Sequence, residues 1–235
     1  MSASLQFSHA EAVPQSTSAT RRVYENLRGK ILTGEVLPGA KLKVDTLKDM
    51  LDTGASPIRE ALSLLTSDQL VERLDQRGFR VAEVSAAQFR EILKLRCALE
   101  DMALRESVRA AGQEWEEALV LAHHRMVRTP RVSVREFEEQ HKSFHMALLA
   151  ACESPILLKF CDRLYDLNIR YRYLAGRSQG YEARDVSKEH ADILAAALDR
   201  DVELASVCLI QHYRRTGQFL AERLEGLDFS KVTAR

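Results

Sequence analysis

The sequence predicts a mostly α-helical protein in which an N-terminal winged helix-turn-helix is followed by an all-α helical bundle. Three observations lead to this fold class. Glycine and proline are scarce, with 10 and 5 in 235 residues, which disfavours a turn-rich all-β fold. Apolar residues recur at helical spacing through most of the chain. The one stretch that is typical of strands lies between residues 70 and 81.

The chain divides into four predicted segments. Residues 1–18 are rich in Ser, Ala and Gln and have no apolar periodicity, which predicts a disordered tail. A winged helix-turn-helix domain is expected over residues 19–83, and an all-α domain over residues 84–226. Residues 227–235 are expected to form a C-terminal tail.

The N-terminal domain has the element order of a winged helix. Apolar spacing predicts helices over residues 20–34 and 44–51. A third helix is expected to have Ser56 as its N-cap and Pro57 as its first residue. Residues 70–81 contain two β-prone runs around a polar turn, which predicts a hairpin.

The second domain is predicted to consist of amphipathic helices separated by Gly, Pro and Asp turns. Ser85 is expected to cap the first of them. Six helices are predicted near residues 86–111, 113–128, 132–152, 155–176, 182–199 and 201–224.

The third helix carries a polar face that is suited to DNA. Its apolar stripe faces inward, so Ser56, Arg59 and Ser63 fall on the opposite side. A recognition helix inserts such a face into the major groove, where an Arg near the helix start can reach guanine or a phosphate. Arg59 is therefore the principal candidate for base contact.

The predicted hairpin tip and two lysines extend this surface. Gln76, Arg77 and Gly78 are expected to lie along the DNA backbone or minor groove, and Lys43 and Lys48 to contact phosphates. The net charge is zero, with 34 basic and 34 acidic residues, so composition gives no support for nucleic-acid binding. An exposed basic side chain is more often a solvated charge, and the order of elements is what favours DNA binding.

Four histidines are predicted to point into the helical bundle. His141 and His145 are four residues apart on one apolar stripe, and His190 and His212 lie on the stripes of two later helices. An isolated inward histidine is most often a satisfied core residue. Four such rings need partners, and a shared divalent cation satisfies all of them. Both interpretations stay open at this stage.

Two sequence runs in the N-terminal half, L-R-G-K-I-L-T-G-E-V-L-P-G-A-K-L and S-P-I-R-E-A-L-S-L-L, followed by G-F-R-V, resemble the DNA-binding domain of the GntR family. The helical half resembles the FCD effector domain of its FadR-type branch, and the likeness covers about residues 20–224. The run Arg170–Tyr173 is similar to that of regulators of the CsiR type. Gly54-Ala55-Ser56 stands where the family has S-R-T, so the family's additional base-reading Arg is absent.

The resemblance implies a metal site. FCD domains hold a metal with an Asp-x-x-x-His pair and two later histidines, which match His145, His190 and His212, while His141 stands in place of the Asp. Four neutral imidazoles leave the cation's charge uncompensated and favour Zn or Ni, with an anion as a further ligand. A three-histidine site without His141 is the alternative.

The resemblance also implies an effector pocket and a mode of action. Arg96 lies on an apolar stripe, where it either pairs with Glu100 or clamps a carboxylate, as the R-x-x-L-E motif of FCD domains implies. Asn168 and Arg172 are weaker candidates for the same pocket. The implied protein is a homodimer that binds double-stranded operator DNA, usually as a repressor, and responds to a small carboxylate. The CsiR-type likeness suggests a short dicarboxylate such as glutarate or 2-hydroxyglutarate.

Other functions are predicted less strongly. A metal-dependent hydrolase is one alternative, but H-K-S-F-H lacks the Glu of H-E-x-x-H, and we expect no enzyme. A helical interaction module with structural histidines is another alternative.

The four cysteines stand alone, which indicates buried thiols. No apolar run is long enough for a membrane span and no signal peptide is evident, so a cytoplasmic protein without a membrane partner is expected.

Overall fold

The computed structural model describes residues 18–74, 78–131, 134–174 and 185–225. Within them the chain forms a winged helix followed by a helical bundle, which confirms the predicted fold class. The helices and strands are α1 (Ala19–Leu32), β1 (Lys41–Leu42), α2 (Val44–Leu51), α3 (Ala55–Ser67), β2 (Val71–Leu74), β3 (Gly78–Val81), α4 (Ala86–Ala110), α5 (Gln113–Arg128), α6 (Val134–Leu149), α7 (Pro155–Leu174), α8 (Val186–Leu198) and α9 (Val202–Glu225).

The start of α3 differs from the prediction. The N-cap is Gly54, and the helix already begins at Ala55, so the prediction of Ser56 as N-cap is wrong. Pro57 is tolerated at the third helical position because the first N–H groups of a helix have no intrahelical acceptor. The Ser56 hydroxyl donates to Glu60 within the same helix, at 3.2 Å. Ser85, in contrast, caps α4 by accepting from the backbone N–H of Gln88, as predicted.

The wing is a three-stranded antiparallel sheet in the order β1-β3-β2. The hairpin of β2 and β3 pairs Val71 with Val81 and Leu74 with Gly78. β1 adds two residues to the other edge of β3 and pairs Leu42 with Phe79. Sequence periodicity did not predict β1, because two residues are too short to display an alternating pattern.

Two hydrophobic cores lie along the molecule. One core consists of the apolar stripes of α1, α2 and α3 together with residues from α4 and α7, including Phe89 and Tyr171. The other core fills the bundle and contains Leu104, Leu119 and Phe144. Since the first core includes bundle helices, the winged helix is packed against α4 and α7 and does not hang from a free linker.

Helix α7 supplies the polar contacts between the two parts. Asp166 binds Arg28 of α1, and it also accepts from Lys142 of α6 at 2.8 Å. The buried Arg170 donates to the carbonyl of Ala82, at the end of the wing, and burial lowers its pKa to about 10. Helix α7 thus contacts the winged helix directly. Within the described residues, no helix combines the length and apolarity that crossing a membrane requires.

Candidate functional site

Four histidine side chains come together inside the bundle. His141 and His145 lie one turn apart on α6, His190 lies on α8 and His212 on α9. All four are at most 3% exposed. Taking one ring nitrogen from each, the potential ligand atoms all lie within 4.8 Å of one another. The structure therefore brings together the four residues that the sequence singled out.

The nitrogen positions fit a divalent cation. The Nε2 atom of His141 lies 3.1 Å from Nε2 of His190 and 3.2 Å from Nε2 of His145. Four nitrogens held tetrahedrally at typical Zn–N distances are about 3.3 Å apart. These two separations therefore match the spacing of nitrogen ligands around such an ion.

A chain of hydrogen bonds orients His145. Arg96 binds Glu100 in bidentate fashion, at 2.5 and 3.2 Å. Glu100 accepts the hydroxyl proton of Tyr213. The Tyr213 oxygen lies 3.0 Å from Nδ1 of His145 and, with its own proton donated to Glu100, can only accept there. His145 therefore carries its proton on Nδ1 and directs a lone pair on Nε2 into the cluster, as a metal ligand must.

A carboxylate orients His212 in the same way. Oε2 of Glu189 lies 2.9 Å from Nδ1 of His212, so Nδ1–H donates and Nε2 keeps its lone pair. Arg215 holds the other oxygen of Glu189 at 3.2 Å. Carboxylate partners of this kind fix the tautomer and raise the basicity of ligating histidines.

His141 has different neighbours. Its Nδ1 accepts from Arg172 at 3.1 Å, lies 2.5 Å from the Tyr165 hydroxyl, and is 3.7 Å from Oε2 of Glu138. Arg172 also forms an ion pair with Glu138 at 2.9 Å. His141, which stands where the family has an Asp, is therefore a neighbour of both members of the buried Arg172–Glu138 ion pair.

Burial disfavours the charged form of three of the four histidines. Burial lowers the pKa of His141 well below its usual 6.5, and the nearby positive charge of Arg172 adds to this effect. Burial likewise depresses the pKa values of His145 and His190, with His212 the next contributor to both. Neutral imidazoles are the form that binds metal ions.

A cavity adjoins the histidines. It has room for about one water molecule. The three residues predicted for the effector pocket all border it, together with two of the histidines. The lining residues are Leu93, Arg96, His141, Asn168, Arg172, His212, Tyr213, Thr216 and Gly217.

Of the two interpretations of Arg96, the structure shows the ion pair with Glu100, because the guanidinium forms two hydrogen bonds with that carboxylate. Burial opposes the charge on Arg96, but Glu100 outweighs this and raises the pKa.

Several residues of this site were not found from the sequence, among them Glu138, Glu189 and Tyr213. Glu138 precedes His141 by three residues and Glu189 precedes His190, so helical spacing could have pointed to Glu138 as a neighbour. Tyr213 had no local signal, because its contact with His145 joins α9 to α6. Hydrogen bonds of this kind, between a histidine and a residue on another helix, depend on tertiary packing.

The second candidate surface is the exposed side of α3. Ser56, Arg59 and Ser63 are exposed, opposite the buried Ile58 and Leu62. Arg59 forms no ion pair with any residue that the structure describes, and its backbone carbonyl accepts from the Ser63 hydroxyl at 2.9 Å.

The other residues predicted to contact DNA divide into two groups. Lys43 is exposed at the start of α2, and Lys48 lies 3.7 Å from Asp45. Gly78 is exposed and lies in the left-handed region at φ +93°, and a Cβ added there would meet nothing within 4 Å. The predicted hairpin tip at Gln76 and Arg77 lies outside the described residues.

The combination of a winged helix with a free polar face on α3 and a helical bundle with a buried histidine site beside a cavity defines a class of protein, a DNA-binding regulator with a ligand-binding domain. Comparisons with known proteins identify it further. The model of "Bacterial regulatory proteins, gntR family" matches residues 19–81, and that of the "FCD domain" matches residues 91–215. The chain belongs to the GntR family and has an FCD effector domain.

Individual relatives agree with this. The chain is 34% identical to the uncharacterized HTH-type transcriptional regulator BphR of Paraburkholderia xenovorans, over 88% of this chain and 87% of the relative. It is 32% identical to the HTH-type transcriptional repressor GlaR of Escherichia coli, over 80% and 90%. Among solved structures, Escherichia coli McbR/YncC superposes with a TM-score of 0.75 at 25% identity, covering 87% of this chain and 98% of that one. The chain is a DNA-binding transcriptional regulator.

Proposed function

We propose that this regulator is a repressor whose affinity for its operator is controlled by a small carboxylate bound beside a divalent metal ion. The observation that carries the proposal is the cluster of four buried histidine nitrogens within 4.8 Å of one another. This cluster borders a cavity that is also lined by two arginines. A protein interior that gathers lone pairs next to guanidinium groups is suited to a cation and an anion together.

His145, His190 and His212 are proposed to hold the metal, with His141 as the fourth nitrogen ligand. Zn and Ni are the preferred ions, since an all-imidazole set favours them over Mn or Mg. The ion supplies a positive charge that attracts an anionic oxygen. The hydrogen-bonded supports Tyr213 and Glu189 favour this role, because they leave the Nε2 lone pairs of His145 and His212 available.

The carboxylate is proposed to bind in the cavity through Arg172 and Asn168. Asn168 is buried and lines the cavity, so its amide can donate to a carboxylate oxygen. Arg96 adds positive charge, but its N–H groups on the Glu100 side are engaged. Since the cavity has room for about one water molecule, a short dicarboxylate requires side chains to move before it enters.

The operator is proposed to be bound by a homodimer, each winged helix placing α3 in the major groove. Arg59 would read a base, with Ser56 and Ser63 beside it, and Lys43, Lys48, Gln76, Arg77 and Gly78 would contact the backbone or minor groove. Operator DNA as the partner favours the cytoplasm as the site of action.

Elemental analysis of the purified protein, followed by thermal unfolding with and without a chelator, tests the metal site. Zn at 100 times its Kd stabilises a folded protein by about 2.7 kcal/mol, which raises the Tm of a chain of this length by about 5 to 11 °C. His190→Ala should abolish the rise, and His124→Ala, at an exposed position, should retain it. Absence of metal together with no stabilisation by Zn or Ni contradicts the site and leaves the histidines a structural role.

Gel shifts with the DNA upstream of the protein's own gene test the rest of the proposal. Glutarate and related dicarboxylates are titrated into the operator complex of the metal-loaded, chelated and His190→Ala proteins. We expect release of the operator by the carboxylate only when metal is present. Equal release in all three samples would contradict a metal-assisted effector site.

A further inference from the structure

We infer that Arg172 and the metal exclude each other at His141, so that His141 becomes a ligand only when Arg172 turns away to another acceptor. The inference rests on the proposed metal site and names the exchange that couples metal to carboxylate within it. Three groups carry the argument: Arg172, His141 and Glu138.

The hydrogen bond from Arg172 defines the state of His141. A guanidinium has donors and no acceptor, so the Nδ1 atom that it contacts at 3.1 Å must present a lone pair. A neutral imidazole has one N–H, which therefore lies on Nε2 of His141. That N–H points into the cluster, 3.1 Å from His190 and 3.2 Å from His145.

The neighbouring histidines have the opposite tautomer. His145 donates from Nδ1 to Tyr213, and His212 donates from Nδ1 to Glu189, so both present lone pairs to the cluster. The Nε2–H of His141 is thus a donor facing acceptors, which satisfies the cluster without a cation. In this arrangement the Nε2–H of His141 points to the place where the ion would lie, so His141 is not a ligand.

Coordination through Nε2 requires His141 to exchange its tautomer. The proton leaves Nε2 and a proton is added at Nδ1, so the ring remains neutral. The new Nδ1–H has acceptors within reach in the Tyr165 oxygen, at 2.5 Å, and Oε2 of Glu138, at 3.7 Å. Arg172 can no longer donate to Nδ1, since two donors would then face each other.

Arg172 already lines the cavity. A carboxylate there provides the acceptor that His141 no longer offers, and a bidentate Arg–carboxylate pair is a strong contact. The carboxylate thereby favours His141 as fourth ligand, and the metal favours binding of the carboxylate. Such coupling is reciprocal by thermodynamic necessity.

Nitrogen-15 NMR of histidine-labelled protein tests the exchange, because it reports which ring nitrogen carries the proton. In the chelated protein we expect Nε2–H on His141 and Nδ1–H on His145 and His212. In the Zn-loaded protein we expect Nδ1–H on His141. Signals are assigned by loss in His141→Gln, His145→Gln and His212→Gln.

Variants of Arg172 separate its hydrogen bond from its charge. Without metal, Arg172→Met should raise the population of the Nδ1–H form of His141, because only the cluster nitrogens then favour Nε2–H. Arg172→Lys should retain Nε2–H because it keeps a donor and the charge. Arg215→Met is the matched control, since Arg215 binds Glu189 of the same site but does not contact His141. It should leave the His141 tautomer unchanged.

Zn affinity, measured by competition with a chromophoric chelator, gives a second readout. Mutation of a residue that hydrogen-bonds to a metal ligand typically changes the metal affinity by about 10- to 100-fold. We therefore expect glutarate to tighten Zn binding by about tenfold in the wild type and to have no effect in Arg172→Met. If that variant does not fold by circular dichroism, Glu138→Gln replaces it and should weaken Zn binding.

The outcomes are distinguishable. Nδ1–H on His141 in the chelated wild type overturns the exchange, because His141 would then be ready to act as the fourth ligand without any change of tautomer. Nε2–H retained with Zn bound also overturns the exchange, and it leaves a three-histidine metal site that is compatible with the proposed function. Failure of Zn to bind overturns both the proposed metal site and the exchange.

Discussion

The α3 surface and the histidine cluster differ in how their functional groups are held. On α3, Arg59 projects from one helix into solvent without an ion-pair partner in the described chain, above a core of Ile58 and Leu62. In the bundle, His145 is buried and hydrogen-bonded through Tyr213 to a buried carboxylate. The first surface is made by one helix of 13 residues, and the second by side chains from α4, α6, α7, α8 and α9.

Because of this difference, a substitution on the α3 surface is expected to change function without changing stability, whereas a substitution in the histidine cluster is expected to change both. Replacing an exposed side chain on α3 is expected to remove the proposed contact with DNA while the buried core beneath it is unchanged. Replacing a member of the histidine cluster leaves buried polar groups without partners, which is costly. Effector response, unlike DNA binding, is therefore expected to depend on the folding free energy of the site.

The largest contrast is expected from acid. Burial lowers the pKa of His141, His145 and His190 below 6.5, so in the metal-free protein only the unfolded chain takes up protons as pH falls below that value. Stability is complete above pH 6.5 and is lost as pH falls toward the folded-state pKa values. The free energy of unfolding therefore falls steadily below pH 6.5, and all three histidines contribute to the loss.

Urea unfolding of the chelated protein at pH 7.5 and pH 5.5 measures this loss. His145→Gln should reduce the difference in unfolding free energy between the two pH values, and His124→Gln, at an exposed position, should not. Equal stability at the two pH values would show that the cluster is not buried and neutral.

The next effect concerns Arg96. Arg96→Met leaves Glu100, which is 1% exposed, without its counter-ion, and a broken buried pair typically lowers the free energy of unfolding by about 3 to 5 kcal/mol. Adding Glu100→Met should restore part of the loss. The exposed pair Arg135–Glu139 has the same spacing, and Arg135→Met should change stability by at most about 1 kcal/mol. Similar losses for both arginines in chemical denaturation would contradict a buried support.

Arg59→Ala should have the reverse profile. A specific Arg–base contact contributes about 1 to 3 kcal/mol, and each half of a dimeric complex would lose one. We expect operator affinity, measured by fluorescence anisotropy at fixed salt, to fall at least tenfold while the Tm is unchanged. Arg128→Ala removes an exposed arginine from α5 as a charge-matched control. If both variants bind the operator alike, Arg59 does not read it.

The smallest effect tests how closely α4 and α9 approach beside the cavity. A Cβ on Gly217 would overlap Cδ2 of Leu93, so Gly217→Ala should destabilise the protein by about 1 to 3 kcal/mol. Leu93→Ala in the same chain should reduce this penalty in a double-mutant cycle. Gly112→Ala, with nothing within 4 Å of its added Cβ, should be nearly neutral. Additive effects at Gly217 and Leu93 would contradict the contact.

Much of the fold could be predicted from the sequence because its signals are local. Apolar spacing located α1 to within two residues at each end and α5 exactly where residues 113–128 were expected. The start of α3 was wrong because Ser and Gly are both good N-caps, and the choice between Ser56 and Gly54 depends on how the turn after α2 is packed. β1 was missed because it forms only by pairing with β3.

The sequence by itself determined which side chains face inward, since helical periodicity places His141, His145, His190 and His212 on buried stripes. Only the tertiary structure decided what each of them contacts. Arg172 on α7 and Tyr213 on α9 lie 31 and 68 residues from the histidines that they bind. Helical periodicity gives a direction for each side chain but no distance between helices. The partners that fix the histidine tautomers therefore follow from how the bundle packs. The same packing decides that Arg96 pairs with Glu100 and does not hold a ligand.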